Sequence, residues 1–303
     1  MTAYMRSLSL SGVAFLSACL PVFLTGCSSA GPTPPNAFPA GEPLPPIRTV
    51  FECLPKEAAL VAAHRGTDSS LRLPENSISA LEAMIAAGVL MAEIDIAAIR
   101  DGTPIIFHDG VWDDHVSSTG PVVATEPDAF ARLRLKDMKG VITAEPVPTL
   151  ADMLDRAKDR IYLEVDFKSS ADMATVVQMI RDRDMTDQVI LIATTDDEAE
   201  ALRPFAGEFL LSLPRARKRI TANARQGVWI GGRWRDGDDK AVAARHYVFG
   251  AQWQKNAAEL PKAARALDLL VTDQPLRYDP VVGMRGKGAA FRACLSADED
   301  ERG

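Results

Sequence analysis

Short apolar runs alternate along the chain with stretches in which apolar residues recur at helical spacing. Strands that alternate with helices form parallel sheets, and about eight such units in this length indicate a closed barrel rather than an open sheet. The sequence therefore predicts an α/β fold of the TIM-like (β/α)8 barrel class. The predicted buried strands are 59–63, 90–96, 104–108, 161–167, 189–193, 209–213 and 269–272, with one more at either 228–230 or 247–249.

Three helices are predicted between these strands from apolar spacing and capping residues. Asn76 is expected to cap a helix that stops at Gly88, and Thr149 is expected to cap a second helix. A third helix is expected at about 171–184. The apolar faces of these helices would cover the outside of the barrel.

The amino-terminal segment has the pattern of an export signal. Arg6 precedes an apolar run, 8–24, which serine, glycine and proline residues interrupt. The run ends in Leu-Thr-Gly-Cys at 24–27, which resembles the bacterial lipobox, in which the cysteine receives lipid. The alternative is a plain signal peptide with an incidental cysteine.

The domain boundaries follow from this segment and from the proline-rich stretch behind it, which favours extended conformations and cannot form a core. We expect an exported lipoprotein that is held to a membrane through lipid on Cys27. The expected organisation is a lipoprotein signal peptide at 1–26, the lipidated cysteine and a proline-rich spacer at 27–50, and the barrel domain at 51–303.

Charge and cysteine content narrow the possible partners. The 303 residues carry a net charge of −7 and no long basic run, so the chain lacks the cationic surface that a nucleic acid requires. A single small phosphate needs only two or three local cations and remains possible. The expected mature domain keeps two cysteines, Cys53 and Cys294, and the sequence leaves open whether they form a disulfide.

Polar side chains gather where the predicted strands end. On a parallel barrel the carboxyl ends of the strands share one face, and active sites of this fold form there. The residues are His64 and Arg65 after the first strand, Glu93 and Asp95 on the second, His108 after the third, and Asp166 and Lys168 on the fourth.

The paired carboxylates of the second strand predict a metal site. Glu93 and Asp95 are two residues apart, so both side chains point to the same face of the strand. A hard cation with oxygen ligands, Ca²⁺ or Mg²⁺, is their natural partner, and Asp166 would supply a third carboxylate. Two alternatives stay open: Glu164, on the same face as Asp166, competes for the third position, and Arg65 and Lys168 could neutralise the carboxylates without metal.

A series of short motifs follows the same strands in order. Together they resemble the glycerophosphodiester phosphodiesterase family over most of the chain from 60 to 275. The motifs are AHRG (63–66), PENS (74–77), EID (93–95), FHDG (107–110), VPTL (147–150), LEVDFK (163–168) and VTDQP (271–275).

The resemblance implies metal-dependent hydrolysis of a small glycerophosphodiester to glycerol 3-phosphate and an alcohol. The resemblance implies His64 and His108 as the acid/base pair, but it leaves open which is the acid and which the base. It further implies Arg65 and Lys168 at the phosphate, Glu93, Asp95 and Asp166 at the metal, and Glu75 and Asn76 as supports of the first loop.

The chain departs from the family pattern at three positions. Ser77 stands where threonine is common, and Asp166 stands where the family commonly has glutamate, which shortens that ligand by one methylene. His115 occupies a position where many relatives have arginine, which would alter substrate contacts; for His115 and His246 a structural role is expected. Two rival functions remain: a phospholipase D-like lyase that acts on intact lipids, and a lipoprotein that binds a phosphate ligand without catalysis.

Overall fold

Eight parallel strands close into a barrel. The computed structural model describes residues 43–214, 226–231, 247–252, 267–282 and 286–302. Its strands are β1 (Ala59–Ala63), β2 (Met91–Ala98), β3 (Pro104–Ile106), β4 (Val111–Trp112), β5 (Gly120–Pro121), β6 (Arg134–Lys136), β7 (Ile142–Pro146), β8 (Tyr162–Phe167), β9 (Val189–Ile192), β10 (Leu210–Pro214), β11 (Gly227–Trp229), β12 (Tyr247–Gln252), β13 (Leu269–Thr272) and β14 (Val281–Val282).

The barrel strands are β1, β2 and β8 to β13, and they close because β1 pairs in parallel with both β2 and β13. The predicted (β/α)8 barrel is therefore confirmed. The described helices are α1 (Ile47–Cys53), α2 (Ile78–Ala86), α3 (Pro127–Phe130), α4 (Leu150–Ala157), α5 (Met173–Arg181), α6 (Asp196–Leu202) and α7 (Gly288–Arg302).

Side-chain alternation along the strands divides the core into an outer layer and a filled lumen. On β8, Leu163 and Val165 point outward and pack against the helices, whereas Tyr162 points into the lumen. The outer layer includes apolar residues of α2, α4 and α5, such as Leu81 and Met153. Because alternate residues point inward, Glu164 and Asp166 face the lumen with Tyr162.

The predicted third strand is not a barrel strand, which corrects the sequence-based assignment. β3 runs antiparallel to β2, with Ile106 opposite Ile96, and opens an insertion at 99–149 that also contains the β4–β5 and β6–β7 hairpins. The two candidates for the uncertain strand, β11 and β12, are both barrel strands, and together they make up for the loss of β3 from the predicted barrel. Apolar runs of this length cannot distinguish a barrel strand from a strand that folds back on it, because both are buried.

Of the two helix caps predicted from the sequence, the structure confirms one, and it also confirms the third helix. Thr149 caps α4 and forms a reciprocal capping box with Asp152, and α5 lies inside the third predicted helix. Asn76 does not cap α2, because Ser77 accepts the hydrogen bond from the Ala80 N–H in its place. Asn76 instead adopts a left-handed backbone, with φ of 53°, and turns its amide toward β2.

The amino end of the barrel is closed by elements from both ends of the described chain. Ile47 and Phe51 of α1 and Phe291 of α7 are buried in the lumen cluster, so helical structure begins within the segment expected as a spacer. Cys53 and Cys294 form a disulfide between α1 and α7, with their Cα atoms 5.6 Å apart. The bond links residues 241 positions apart, so it strongly restricts the unfolded chain. No helix among the described residues has the length and apolar character needed to cross a bilayer.

Candidate active site and metal centre

Three carboxylates meet at the carboxyl end of the barrel. Glu93 and Asp95 of β2 are 5% and 1% exposed, and Asp166 of β8 lies directly opposite Asp95 in the parallel register. One oxygen from each residue lies within 4.8 Å of the others, an arrangement that could hold a metal ion. The inward-facing alternation of two neighbouring strands produces this cluster, as the sequence predicted.

The cluster is costly without a positive partner. Burial, reinforced by the Asp95 carboxylate, raises the pKa of Glu93 well above its usual range. Burial also raises the pKa of Asp166, although Lys168 opposes the shift. Both shifts have the direction expected where a pocket disfavours negative charge.

Lys168 lies among these carboxylates. Its ammonium is 2.8 Å from Oδ1 of Asp95 and 2.6 Å from Oδ2 of Asp166. Burial alone would lower the pKa of Lys168, but the two carboxylates outweigh that effect and raise it. The Asn76 amide donates to Oδ2 of Asp95 at 2.7 Å. Asn76 therefore supports a candidate metal ligand rather than only the first loop.

Glu164 lies one pleat deeper in the lumen than Asp166. It pairs in register with Glu93, is 0% exposed, and is absent from the compact group of carboxylate oxygens. Neither of its oxygens has a hydrogen-bond partner in the described part of the chain. Burial raises the pKa of Glu164 to about 8, although the nearby Ser212 hydroxyl opposes the shift.

Arg65 is held in a strained turn immediately after β1. Its backbone adopts φ of 51°, a left-handed conformation that costs about 1–3 kcal/mol in a residue other than glycine. Its N–H donates to Oε2 of Glu93 at 2.9 Å, and its guanidinium donates to Glu75 at 2.5 Å. The carbonyl of Arg65 accepts from the N–H of Asn76 at 2.7 Å. Glu75 and Asn76 therefore both fasten this turn, and Nε of Arg65 keeps no hydrogen-bond partner among the described residues.

His64 lies at the seam where the barrel closes. Its Nδ1 is 2.7 Å from Oδ1 of Asp273, the residue that follows β13. Because an ionised carboxylate only accepts, Nδ1 carries the hydrogen, and Nε2 is left on the side of Glu93, 3.9 Å from Oε2. Ala63 precedes His64 and pairs with Thr272, which precedes Asp273. This pairing between β1 and β13 brings His64 and Asp273 together.

His108 reaches the same face by a different route. β3 runs antiparallel to β2, and the N–H of Phe107 donates to the carbonyl of Asp95 at 3.0 Å. This contact places the next residue, His108, close to the carboxylate cluster. Nδ1 of His108 is 2.7 Å from Oδ1 of Asp109, so both histidines have a carboxylate at the same ring nitrogen. The hydrogen bond to His108 helps to lower the pKa of Asp109 despite the opposing effect of burial.

The ion pairs of the metal-free alternative are present around the cluster. Among the described residues, two cationic side chains, Arg65 and Lys168, lie beside four carboxylates, Glu75, Glu93, Asp95 and Asp166. Within that part of the chain the carboxylates outnumber the cations. A group of oxygen ligands of this kind is also what a divalent cation such as Ca²⁺ or Mg²⁺ prefers.

Sequence reasoning missed Asp109 and Asp273 as partners of the histidines. Asp109 also belongs to a second group of potential ligands with Asp113 and His115, but its carboxylate already binds His108. His115 lies 3.8 Å from Glu75, which suits the structural role expected for it. Cys27 and His246 lie outside the described residues.

Comparisons with named proteins support the resemblance. The chain is 29% identical over 143 residues to glycerophosphodiester phosphodiesterase 1 of Mus musculus, an alignment that covers 44% of this chain and 41% of that protein. It is 28% identical over 134 residues to the probable glycerophosphodiester phosphodiesterase 2 of Mycobacterium tuberculosis, covering 44% and 47%. The chain therefore spans less than half the length of each of these relatives.

Solved structures share the fold. A glycerophosphoryl diester phosphodiesterase from Parabacteroides distasonis superposes with a TM-score of 0.62 at 18% identity, covering 82% of this chain and 90% of that chain. A phosphodiesterase from Oleispira antarctica, in complex with the product sn-glycerol-3-phosphate, has a TM-score of 0.60 at 20% identity, covering 75% and 96%.

The model of the glycerophosphoryl diester phosphodiesterase family matches residues 64–267, which is more than half of the chain. That range begins at His64 and includes the acidic cluster, Lys168 and His108. The chain therefore belongs to the glycerophosphoryl diester phosphodiesterase family.

Proposed function

We propose that this protein hydrolyses glycerophosphodiesters to glycerol 3-phosphate and an alcohol, with a divalent cation held by Glu93, Asp95 and Asp166. The observation that carries the proposal is the pair of histidines at the rim of the acidic cluster, each with Nδ1 bonded to a carboxylate. A protein that only binds phosphate does not require two histidines oriented for proton transfer.

The proposed chemistry divides among residues of this chain. Arg65 and Lys168 bind the phosphoryl oxygens, since each cation lies beside the carboxylate cluster and Nε of Arg65, 3.8 Å from Asp95, makes no hydrogen bond among the described residues. Ca²⁺ or Mg²⁺ bound at the carboxylates would neutralise phosphate charge and acidify a coordinated oxygen. One histidine accepts a proton at Nε2 from the attacking oxygen, and the other donates a proton at Nε2 to the departing alkoxide.

The proposed substrate class agrees with the chemistry of the site. A phosphodiester carries one negative charge, which suits a small cationic pair better than the long basic surface that a polyanion needs. The related Oleispira antarctica enzyme binds sn-glycerol-3-phosphate as its product. We therefore propose a soluble glycerophosphodiester as the small-molecule partner and no nucleic acid.

The activity can be tested with purified protein, glycerophosphocholine and added Ca²⁺ or Mg²⁺, with glycerol 3-phosphate as the measured product. We expect His64→Ala and His108→Ala each to lower turnover by at least about 10²-fold, because each removes a proton-transfer group. Circular dichroism of both variants checks that the fold is intact. Near-full activity of either variant would refute the assigned pair. Cleavage of intact phospholipids without release of glycerol 3-phosphate from the soluble diester would favour a lipid-acting lyase.

The third metal ligand can be tested by a matched pair of isosteric variants. Asp166→Asn should raise the cation concentration needed for half-maximal activity and abolish most activity, because it removes one negative ligand, and excess cation should partly restore turnover. Glu164→Gln should have a much smaller effect, since Glu164 lies one pleat deeper. Activity is measured while a chelator sets the free cation concentration. Equal or reversed sensitivity of the two variants would assign the ligand to Glu164.

We further propose that the protein is exported and anchored through lipid on Cys27, on the basis of the lipobox-like sequence at 24–27. A disulfide between Cys53 and Cys294 is compatible with an oxidising compartment outside the cytoplasm. Cys27→Ala should move the protein from the membrane fraction to the soluble fraction of bacteria that produce it. Cys19→Ala, inside the signal segment, is the matched control and should leave it membrane-bound. Membrane retention of Cys27→Ala would contradict the anchor.

A further inference from the structure

The β6–β7 hairpin presents an outer face with an unusual composition. We call residues 132–146 the basic hairpin. Met138, Val141 and Ile142 at its tip are 39%, 55% and 57% exposed, which makes them three of the six large exposed apolar side chains in the described part of the chain. Scattered exposed apolar residues are ordinary, but three at one hairpin tip indicate a contact surface.

The same hairpin is cationic although the protein as a whole is acidic. Arg132, Arg134, Lys136 and Lys139 lie within eight positions, whereas the chain carries a net charge of −7. The one carboxylate in that stretch, Asp137, is bonded to Arg72 at 2.8 Å. The hairpin is thus a local basic surface on an acidic molecule.

Strand geometry places two of the cations and one of the exposed apolar residues on one face. Leu133 and Leu135 are buried in the core of the insertion, so Arg134 and Lys136, which alternate with them, point to the opposite face. Lys136 pairs directly with Ile142, and directly opposed residues share a face of a sheet. Ile142 therefore extends the cationic face with an exposed apolar side chain.

The tip is held in this conformation by one side chain. Oδ1 of Asp137 accepts from the N–H groups of Lys139 and Val141 at 2.8 and 3.0 Å. The N–H of Asp137 also donates to the carbonyl of Val141 at 2.8 Å. The exposed apolar side chains are consequently presented on a pre-ordered turn, so little conformational entropy is lost when they are buried against a partner.

The hairpin is also fastened to the loops that form the proposed active site. The N–H of Lys136 donates to the carbonyl of His115 at 2.8 Å. Glu145 accepts from the backbone and the hydroxyl of Ser79, at 2.8 and 2.5 Å, where α2 begins. Arg72, which binds Asp137, belongs to the segment between β1 and α2 that also contains Arg65. A surface bound by the hairpin would therefore lie beside the mouth of the barrel.

We propose that the basic hairpin docks the barrel mouth onto an anionic lipid surface. Cationic side chains attract anionic head groups, and the apolar tip enters the interface between head groups and acyl chains. The combination of cations and exposed apolar side chains favours this occupant, because an anionic lipid surface offers negative head groups to the cations and acyl chains to the apolar tip. The inference concerns binding and does not depend on the proposed hydrolysis.

The test measures sedimentation of the chain carrying Cys27→Ala, so that no lipid on that cysteine contributes, with vesicles of phosphatidylcholine, with or without phosphatidylglycerol. Binding should be stronger with phosphatidylglycerol and should fall with added salt. Each cation removed should weaken binding about fivefold, so Lys136→Gln combined with Lys139→Gln should weaken it about 25-fold. Val141→Ser combined with Ile142→Ser should weaken binding to both vesicle types. Lys56→Gln, an exposed lysine before β1 at the other end of the barrel, is the control and should bind as the unaltered chain does.

Two results would overturn the proposal. The first is unaltered vesicle binding by both double variants, with circular dichroism also unaltered, which would show that the folded hairpin makes no membrane contact. The second is a change from dimer to monomer in size-exclusion chromatography of these variants without any change in vesicle binding, which would assign the face to a second copy of the chain.

Discussion

The convergence of two buried carboxylates and a third, partly buried one at the carboxyl end of the barrel is the constraint on which the site depends. Glu93, Asp95 and Asp166 point inward because β2 and β8 alternate in register. Uncompensated charge is costly in a barrel lumen at this depth, and three neighbouring donors are directed at the cluster. The ammonium of Lys168, the amide of Asn76 and the N–H of Arg65 all donate to it. We propose that a divalent cation completes the compensation.

Different structural elements position the two histidines near this cluster. His64 follows β1, and its partner Asp273 follows β13, so the dyad forms only when the first and last barrel strands pair. His108 is carried by a strand that folds back along β2, and its partner is its immediate neighbour, Asp109. Barrel closure therefore orients one proposed proton-transfer group, and the insertion orients the other. A substitution that loosens the seam should disturb His64 more than His108.

Much of this arrangement could be predicted from the sequence, because strand alternation and strand-end position are local properties. Glu93, Asp95 and Asp166 were expected at one face for that reason, and the structure brings them together. The partnership of Asp273 with His64 could not be predicted, since it depends on a contact between residues 209 positions apart. The reversal of β3 was also missed, because its burial matches that of a barrel strand. Asn76 was assigned to a cap from its residue type, whereas tertiary hydrogen bonds to Asp95 determine its conformation.

Thermal unfolding under controlled cation concentration tests the central claim most directly. The free carboxylate cluster should be destabilising, and a cation bound at about 100 times its Kd should stabilise the fold by about 2.7 kcal/mol. For a domain of this size we predict a saturable rise in Tm of about 5 °C or more on replacing chelator with Ca²⁺ or Mg²⁺. Potassium chloride at equal ionic strength should not reproduce it. An unchanged Tm, or an equal rise with potassium chloride, would contradict the proposal that these carboxylates form a divalent metal site.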